Sequence, residues 1–158
     1  MSLKICLLFC LCFVYSNQSK GKLTFSGKVL ITTGFGLGNG QLSEIVDVKN
    51  PDNKCENLPD YPIQEDGANA GLIMDKYPLI CGGSNVNIND CYYYDSDTGN
   101  WEFAVGMSQP RYRGGHVVVN KESLWVTGSI NQDKTTTELI TLNFPGGSAA
   151  PGINNRVS

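Results

Sequence analysis

Residues 78–101 read PLICGGSNVNINDCYYYDSDTGNW. An apolar run ends in paired glycines, a polar loop follows, and a tyrosine-rich run leads into Asp95, Asp97, Gly99 and Trp101. Glycines at a strand end take backbone angles closed to other residues and leave no side chain where sheet edges crowd. Asp95 and Gly99 are turn chemistry, because aspartate hydrogen-bonds its own backbone and glycine accepts positive φ. Beyond that turn, Trp101 supplies a large apolar body for burial between layers.

The pattern recurs. KVLITTGFG (28–36), YPLICGG (77–83) and SLWVTGS (123–129) each carry an apolar run into glycine, and Gly34, Gly82 and Gly128 stand about 48 and 46 residues apart. Each is followed by a polar loop and a short alternating segment: SEIVDV (43–48), CYYYD (91–95) and TELITL (137–142). GANAGLIM (67–74) and RGGHVVVN (113–120) precede two of the glycine runs, and GNWEFAVG (99–106) supplies a fourth element. No segment shows helical periodicity. Four short strands in about 47 residues, with a turn between each, is the signature of a propeller blade.

These residues resemble the kelch repeat: paired glycines, a loop, a Tyr-Asp ending, then a tryptophan. MSQPRYRGGH (107–116) resembles the junction between successive kelch units, and SLWVTGS the next glycine strand. The flanking units keep one glycine of the pair, at Thr33-Gly34 and Gly128-Ser129, and Cys55 stands about where a unit's tryptophan belongs. The resemblance covers residues 27–144. It implies an all-β fold, a partial kelch-type β-propeller of two to three four-stranded antiparallel blades at about 27–62, 67–107 and 111–144. Gly34, Gly82, Gly83, Tyr94, Asp95, Gly99, Trp101, Gly114, Gly115, Trp125 and Gly128 are its structural positions. Kelch-like propellers often bind partners through loops on one face, which makes Arg111, Tyr112 and Arg113 a possible partner contact. The other reading of these arginines is that they satisfy strand-end carbonyls.

The ends of the chain read differently. MSLKICLLFCLCFVYS has one cation, Lys4, and an apolar run from Ile5 to Tyr15. That run is shorter than the roughly 20 residues a spanning helix needs. It reads as a secretory signal, residues 1–16, with Val14 and Ser16 suited to a cleavage site. Residues 17–26 form a short leader. Residues 145–158, PGGSAAPGINNRVS, read as a low-complexity disordered tail with no fourth strand. The expected location is extracellular, with no membrane contact after signal removal.

Secretion gives meaning to the cysteines. Of six, Cys6, Cys10 and Cys12 would leave with the signal, and Cys55, Cys81 and Cys91 would remain. Cys81 ends a glycine strand and Cys91 opens the next, so a bridge across that hairpin is the favoured pairing. Cys55 could instead pair with either. An odd thiol, together with exposed blade edges, gives a route to self-association.

Several chemical readings fall short. A net charge of −3 leaves no basic footprint for nucleic acid. TTGFGLGNG has Gly34 and Gly36 of a dinucleotide fingerprint but Asn39 at its third position, and a β-like run rather than a helix follows. A calcium loop starting at Asp95 would need glycine at Asn100 and glutamate at Gly106. With one histidine, His116, and no Cys-x-x-Cys, zinc is not indicated. The expectation is a non-enzymatic module without a cofactor that binds an extracellular protein or glycan. The alternatives are a fragment of a galactose-oxidase-like or sialidase-like propeller enzyme, or a non-functional truncation.

Overall fold

The computed structural model describes residues 13–19, 22–32, 41–47, 49–50, 56–84, 88–130, 135–142 and 153–157. Gly34, Cys55 and residues 1–12 of the expected signal lie outside them. Every regular element among the described residues is a strand. Blade 1 holds β1 (Phe13–Ser19), β2 (Lys22–Thr32), β3 (Ser43–Asp47) and β4 (Glu56–Asn57). Blade 2 holds β5 (Asn69–Ile73), β6 (Tyr77–Cys81), β7 (Asp90–Asp95) and β8 (Asn100–Gly106). Blade 3 holds β9 (Gly115–Val119), β10 (Ser123–Thr127), β11 (Thr137–Thr141) and β12 (Ile153–Val157).

Each blade is an antiparallel meander in chain order. The architecture matches the expectation of a partial propeller and extends it at both ends. Blade 1 begins inside the expected signal and leader, since β1 pairs with β2 across Ser16, with Phe13 opposite Leu30 and Gln18 opposite Leu23. The expected disordered tail supplies β12, with Thr141 opposite Ile153 and Thr137 opposite Val157. Outer and inner strands need only pair one neighbour, so a polar segment such as INNRV serves where a central strand could not.

The first strands lie at the centre, where β5 contacts both β1 and β9. Tight hairpins join first to second strands. Met74 and Asp75 both have positive φ, at 53° and 56°, as do Asn120 and Lys121, at 52° and 61°. Successive positive φ values give the mirror-image turn whose twist suits a tight hairpin, here with three residues between the paired Ile73 and Tyr77 and between Val119 and Ser123. The two turns are tied together by a Met74 N–H donating to the Lys121 carbonyl at 2.5 Å and by a Lys121–Asp75 ion pair.

Burial sits between blades rather than within one. Alternation gives each blade a leading face toward its predecessor and a trailing face toward its successor. On the trailing face of blade 2, Gly71, Leu79 and Tyr93 lie opposite one another across β5, β6 and β7. The leading face of blade 3, with Leu124, Val126 and Ile140, packs on that side in one apolar cluster with Ile73, Leu79 and Cys81. Gly71 is required there, because a Cβ would come within 2.5 Å of Val118 Cγ2 and 2.8 Å of Leu124 Cδ1. A bulge in the β7–β8 pairing after Cys91 leaves Ala104 unpaired and delivers it to the same cluster. A smaller cluster of Tyr61, Ala68, Ala70 and Ile80 packs the connection entering blade 2 onto the opposite face of that blade.

Candidate functional site

The connections that enter blades 2 and 3 run beside the loops that follow the glycine strands, and they bond to one another. Gly82 N–H donates to the Asp90 carbonyl at 3.0 Å, and Gly83 N–H donates to the Arg111 carbonyl at 3.0 Å. Positive φ at Gly82 (70°) and Gly83 (146°) makes this approach possible. Gly128 repeats the device in blade 3, with φ 67° and its N–H donating to the Thr136 carbonyl at 3.0 Å. Gly114 sits where a Cβ would meet the Thr127 carbonyl oxygen at 2.6 Å, and at Gly115 the nearest atom would be Thr127 Cγ2 at 3.2 Å.

Arg111, expected as a possible partner contact, is buried and serves the fold. Its side chain is 1% exposed and ion-pairs with Glu138, 0% exposed, at 3.6 Å. Nη1 donates to the carbonyls of Thr136 at 3.0 Å and Gly128 at 3.3 Å, and Nη2 to Thr136 Oγ1 at 3.2 Å. Glu138 in turn accepts from Ser108 N–H at 2.7 Å and Ser108 Oγ at 3.0 Å. This is the strand-end reading of the arginine, extended by a carboxylate that sequence inspection did not connect to it.

Tyr112 and Arg113 lie differently. Arg113, at φ 54°, has a side chain 56% exposed and lies over the Tyr112 ring, 4.7 Å from its centroid. Its Nη2 is 3.7 Å from Asp66 Oδ2, to which the Tyr112 hydroxyl donates at 3.4 Å. Asp66 comes from the connection entering blade 2, so the cluster bridges two blades. An exposed cation, a half-buried phenol and a largely buried carboxylate thus meet at the loop-bearing end.

Beneath it lies a residue that sequence reasoning missed. Glu65 is buried against Gly83, and among the described residues no donor meets hydrogen-bond geometry at either carboxylate oxygen, the Tyr61 hydroxyl being the polar group beside it. The neighbouring Tyr61 hydroxyl donates to the Ile80 carbonyl at 3.5 Å. Burial pushes the Glu65 carboxyl up to about 8, with Tyr61 pulling it down and the Asp66 charge adding to the rise. Tyr61 is raised well above 10 by its own burial and by Glu65. Glu65 occupies the position in its connection that Arg111 occupies one repeat later, and that alignment was the available signal.

The remaining positions singled out in the sequence lie on the hairpins and strands of blades 2 and 3. Cys81 and Cys91 are disulfide-bonded across the β6–β7 hairpin, with Cα atoms 4.1 Å apart. Gly99 N–H donates to the Asp95 carbonyl at 2.8 Å, and Asp97 N–H to Asp95 Oδ1 at 2.9 Å. Trp101 packs edge-on against Tyr94 and against Tyr61 of the preceding connection, and its indole N–H donates to the Pro59 carbonyl at 3.1 Å. It therefore ties β8 to the connection between blades 1 and 2. Trp125 stands exposed on β10. His116 lies on β9, with its pKa lowered by desolvation and the Gly114 backbone as its polar neighbour.

The structure of YjhT, a kelch-type propeller, superposes on this chain with a TM-score of 0.63 over 89% of its length. The fold is a propeller fold. Sequence identity is 18%, and the match takes in 48% of the YjhT chain, so this propeller chain spans about half the length of that relative. A fungal alcohol oxidase of the AA5 family, solved in complex with copper, superposes with a TM-score of 0.44 at 11% identity, over 84% of this chain and 40% of that one. No family profile matches the sequence, and no curated protein matches it.

Proposed function

We propose that this chain is a secreted, non-catalytic binding module that takes an extracellular protein or glycan at the loop-bearing end of blades 2 and 3. The observation that carries the reading is the Asp66–Tyr112–Arg113 cluster, which presents a half-exposed guanidinium over an aromatic ring on a rigid scaffold. Arginine and tyrosine are the residue types that dominate contact energetics at interfaces. Gly67 supports the cluster from below, because a Cβ there would lie 2.3 Å from Tyr112 Cε2 and 2.9 Å from Arg113 Cγ. The Cys81–Cys91 bridge suits an oxidising compartment.

The test is a glycan array and a pull-down from extracellular fluid, each run with the native protein, Arg113→Ala and Tyr112→Ala. Binding by the native protein that falls at least about tenfold in both variants supports the reading. A native protein that retains nothing, or variants that bind as well as it does, sinks the reading.

A further inference from the structure

Glu65 and Arg111 hold the same place in successive connections, four residues before Asn69 and Gly115, which open the first strands of blades 2 and 3. Their surroundings differ. In blade 3, Glu138 on β11 takes the Arg111 guanidinium, and the Gly128 and Thr136 carbonyls accept from it. In blade 2 the position of Glu138 belongs to Tyr92, since Ile80–Tyr92 and Val126–Glu138 are corresponding strand pairs. Glu65 therefore enters a place that offers it no counter-ion. It is 3% exposed, and its carboxyl lies against Gly83, where a Cβ would come within 1.7 Å of Oε2.

The titratable groups around Glu65 are Tyr61 and Asp66 from its own connection and Tyr92 from β7, with Asp90 at the start of that strand acting on both phenols. None of them is a cation, and Arg113 is engaged with Asp66 instead. A buried carboxyl in such company keeps its proton, because desolvation penalises the charged form. Once ionised it needs water, which reaches it when the connection lifts off Gly83. The bonds that hold this connection down lie at the cluster itself. Ser84 N–H donates to the Asp66 carbonyl at 2.8 Å, Asp66 N–H to Ser84 Oγ at 3.3 Å, and Arg113 N–H to the Gly67 carbonyl at 2.9 Å. The same segment carries the Asp66 carboxylate that meets Arg113 and Tyr112.

We infer that Glu65 is a proton-operated latch on the Asp66–Tyr112–Arg113 cluster. Protonated, it seats residues 63–67 on Gly83 and keeps the cluster assembled; ionised, it releases them and takes Asp66 away from Arg113. Its consequence for ligand, which is held more tightly in the protonated state, rests on the cluster being the binding site. The sign follows from linkage. The seated carboxyl titrates at about 8 and the released one near 4.5, so release gives up a proton within that interval and becomes about tenfold more favourable with each pH unit.

The experiment is amide hydrogen exchange of the full chain, read by NMR at the Ser84 and Arg113 amides across that interval and corrected for intrinsic base catalysis. Protection at both is expected to fall about tenfold per pH unit in the native protein, independently of low denaturant, and to stay flat in Glu65→Gln. Glu65→Met, which also has no proton to release, is the second variant and should behave as the amide does. Modification of Arg113 by phenylglyoxal should rise over the same interval in the native protein relative to Glu65→Gln. Protection that ignores pH, or that depends on pH equally in both variants, overturns the inference. So does exchange at Ser84 and Arg113 that occurs only together with β6 and β7 in global unfolding. Neither readout needs a ligand: the expected exchange with nothing retained on the array or in the pull-down sinks the binding reading alone, and retained ligand with pH-independent exchange sinks the latch alone.

Discussion

Arg111 and Glu138 are ion-paired at 3.6 Å with both side chains sealed from solvent, and the pair pins the connection entering blade 3 to β11. Removing one partner leaves the other charge buried. Arg111→Ala is therefore expected to cost about 3–5 kcal/mol, and Glu138→Ala a similar amount. The double replacement Arg111→Met with Glu138→Leu should cost less than the sum, because no charge is stranded. Urea denaturation of the three variants measures this.

Glu65 gives the fold a pH dependence of defined sign. Its carboxyl is raised from 4.5 to about 8 in the folded protein, so the folded state holds a proton that the unfolded state has released. This contribution is fully present below about 4.5 and is lost as pH rises through the interval up to about 8. The expected cost at the alkaline side is on the order of a few kcal/mol. Denaturation midpoints for the native protein and Glu65→Gln, followed across that window, should diverge, with the amide variant nearly flat.

Two glycines with similar φ should respond differently to alanine. At Gly99, φ is 73° and a Cβ would meet nothing within 4 Å, so Gly99→Ala carries only the backbone penalty of about 1 kcal/mol. At Gly82, φ is 70° and a Cβ would lie 2.3 Å from the Arg111 carbonyl oxygen, a backbone atom that cannot swing aside. Gly82→Ala should destabilise by at least about twice as much as Gly99→Ala, read from chemical denaturation.

The Cys81–Cys91 bridge closes a short loop. Cys81→Ala with Cys91→Ala is expected to lower stability by about 2–3 kcal/mol while leaving the circular dichroism of the folded state unchanged. A reductant titration of the native protein should give the same loss.

What the sequence revealed and what it hid have physical reasons. The glycine strands, the Asp95–Gly99 turn, Trp101 and the β6–β7 bridge were legible because each depends on residues near in sequence. β1 was hidden because Phe13–Ser16 close the run that reads as a signal and Asn17–Ser19 read as a leader, and β12 by its polarity, which reads as a tail. Both are the end strands of their sheets, where one face and one neighbour suffice and the periodic signal is weak. For Arg111 the sequence left open a partner contact and a strand-end role; the strand-end carbonyls are where it goes, but its pairing with Glu138 on β11 was not legible because it is long-range. Glu65 carries no local mark at all in IQEDG. Its buried environment is made by Gly83 and Tyr61, and an acid in such a place is read only by aligning the repeats.

The hairpin tips at Asp75 and Lys121, clasped to each other, join blade 2 to blade 3, while Trp101 packs on Tyr61 of the preceding connection, which bonds to Gln41 just before β3 of blade 1. Each such link joins blades that are consecutive along the chain. A protein linked this way behaves as a line of coupled units, where stability is a sum of unit and seam energies and loss of order spreads inward from an end. The middle unit has a seam on each side and neither terminal strand. Amide hydrogens of β6 and β7 should then exchange last, those of β1 and β12 first, and the spread between them would measure how strongly neighbouring blades hold one another.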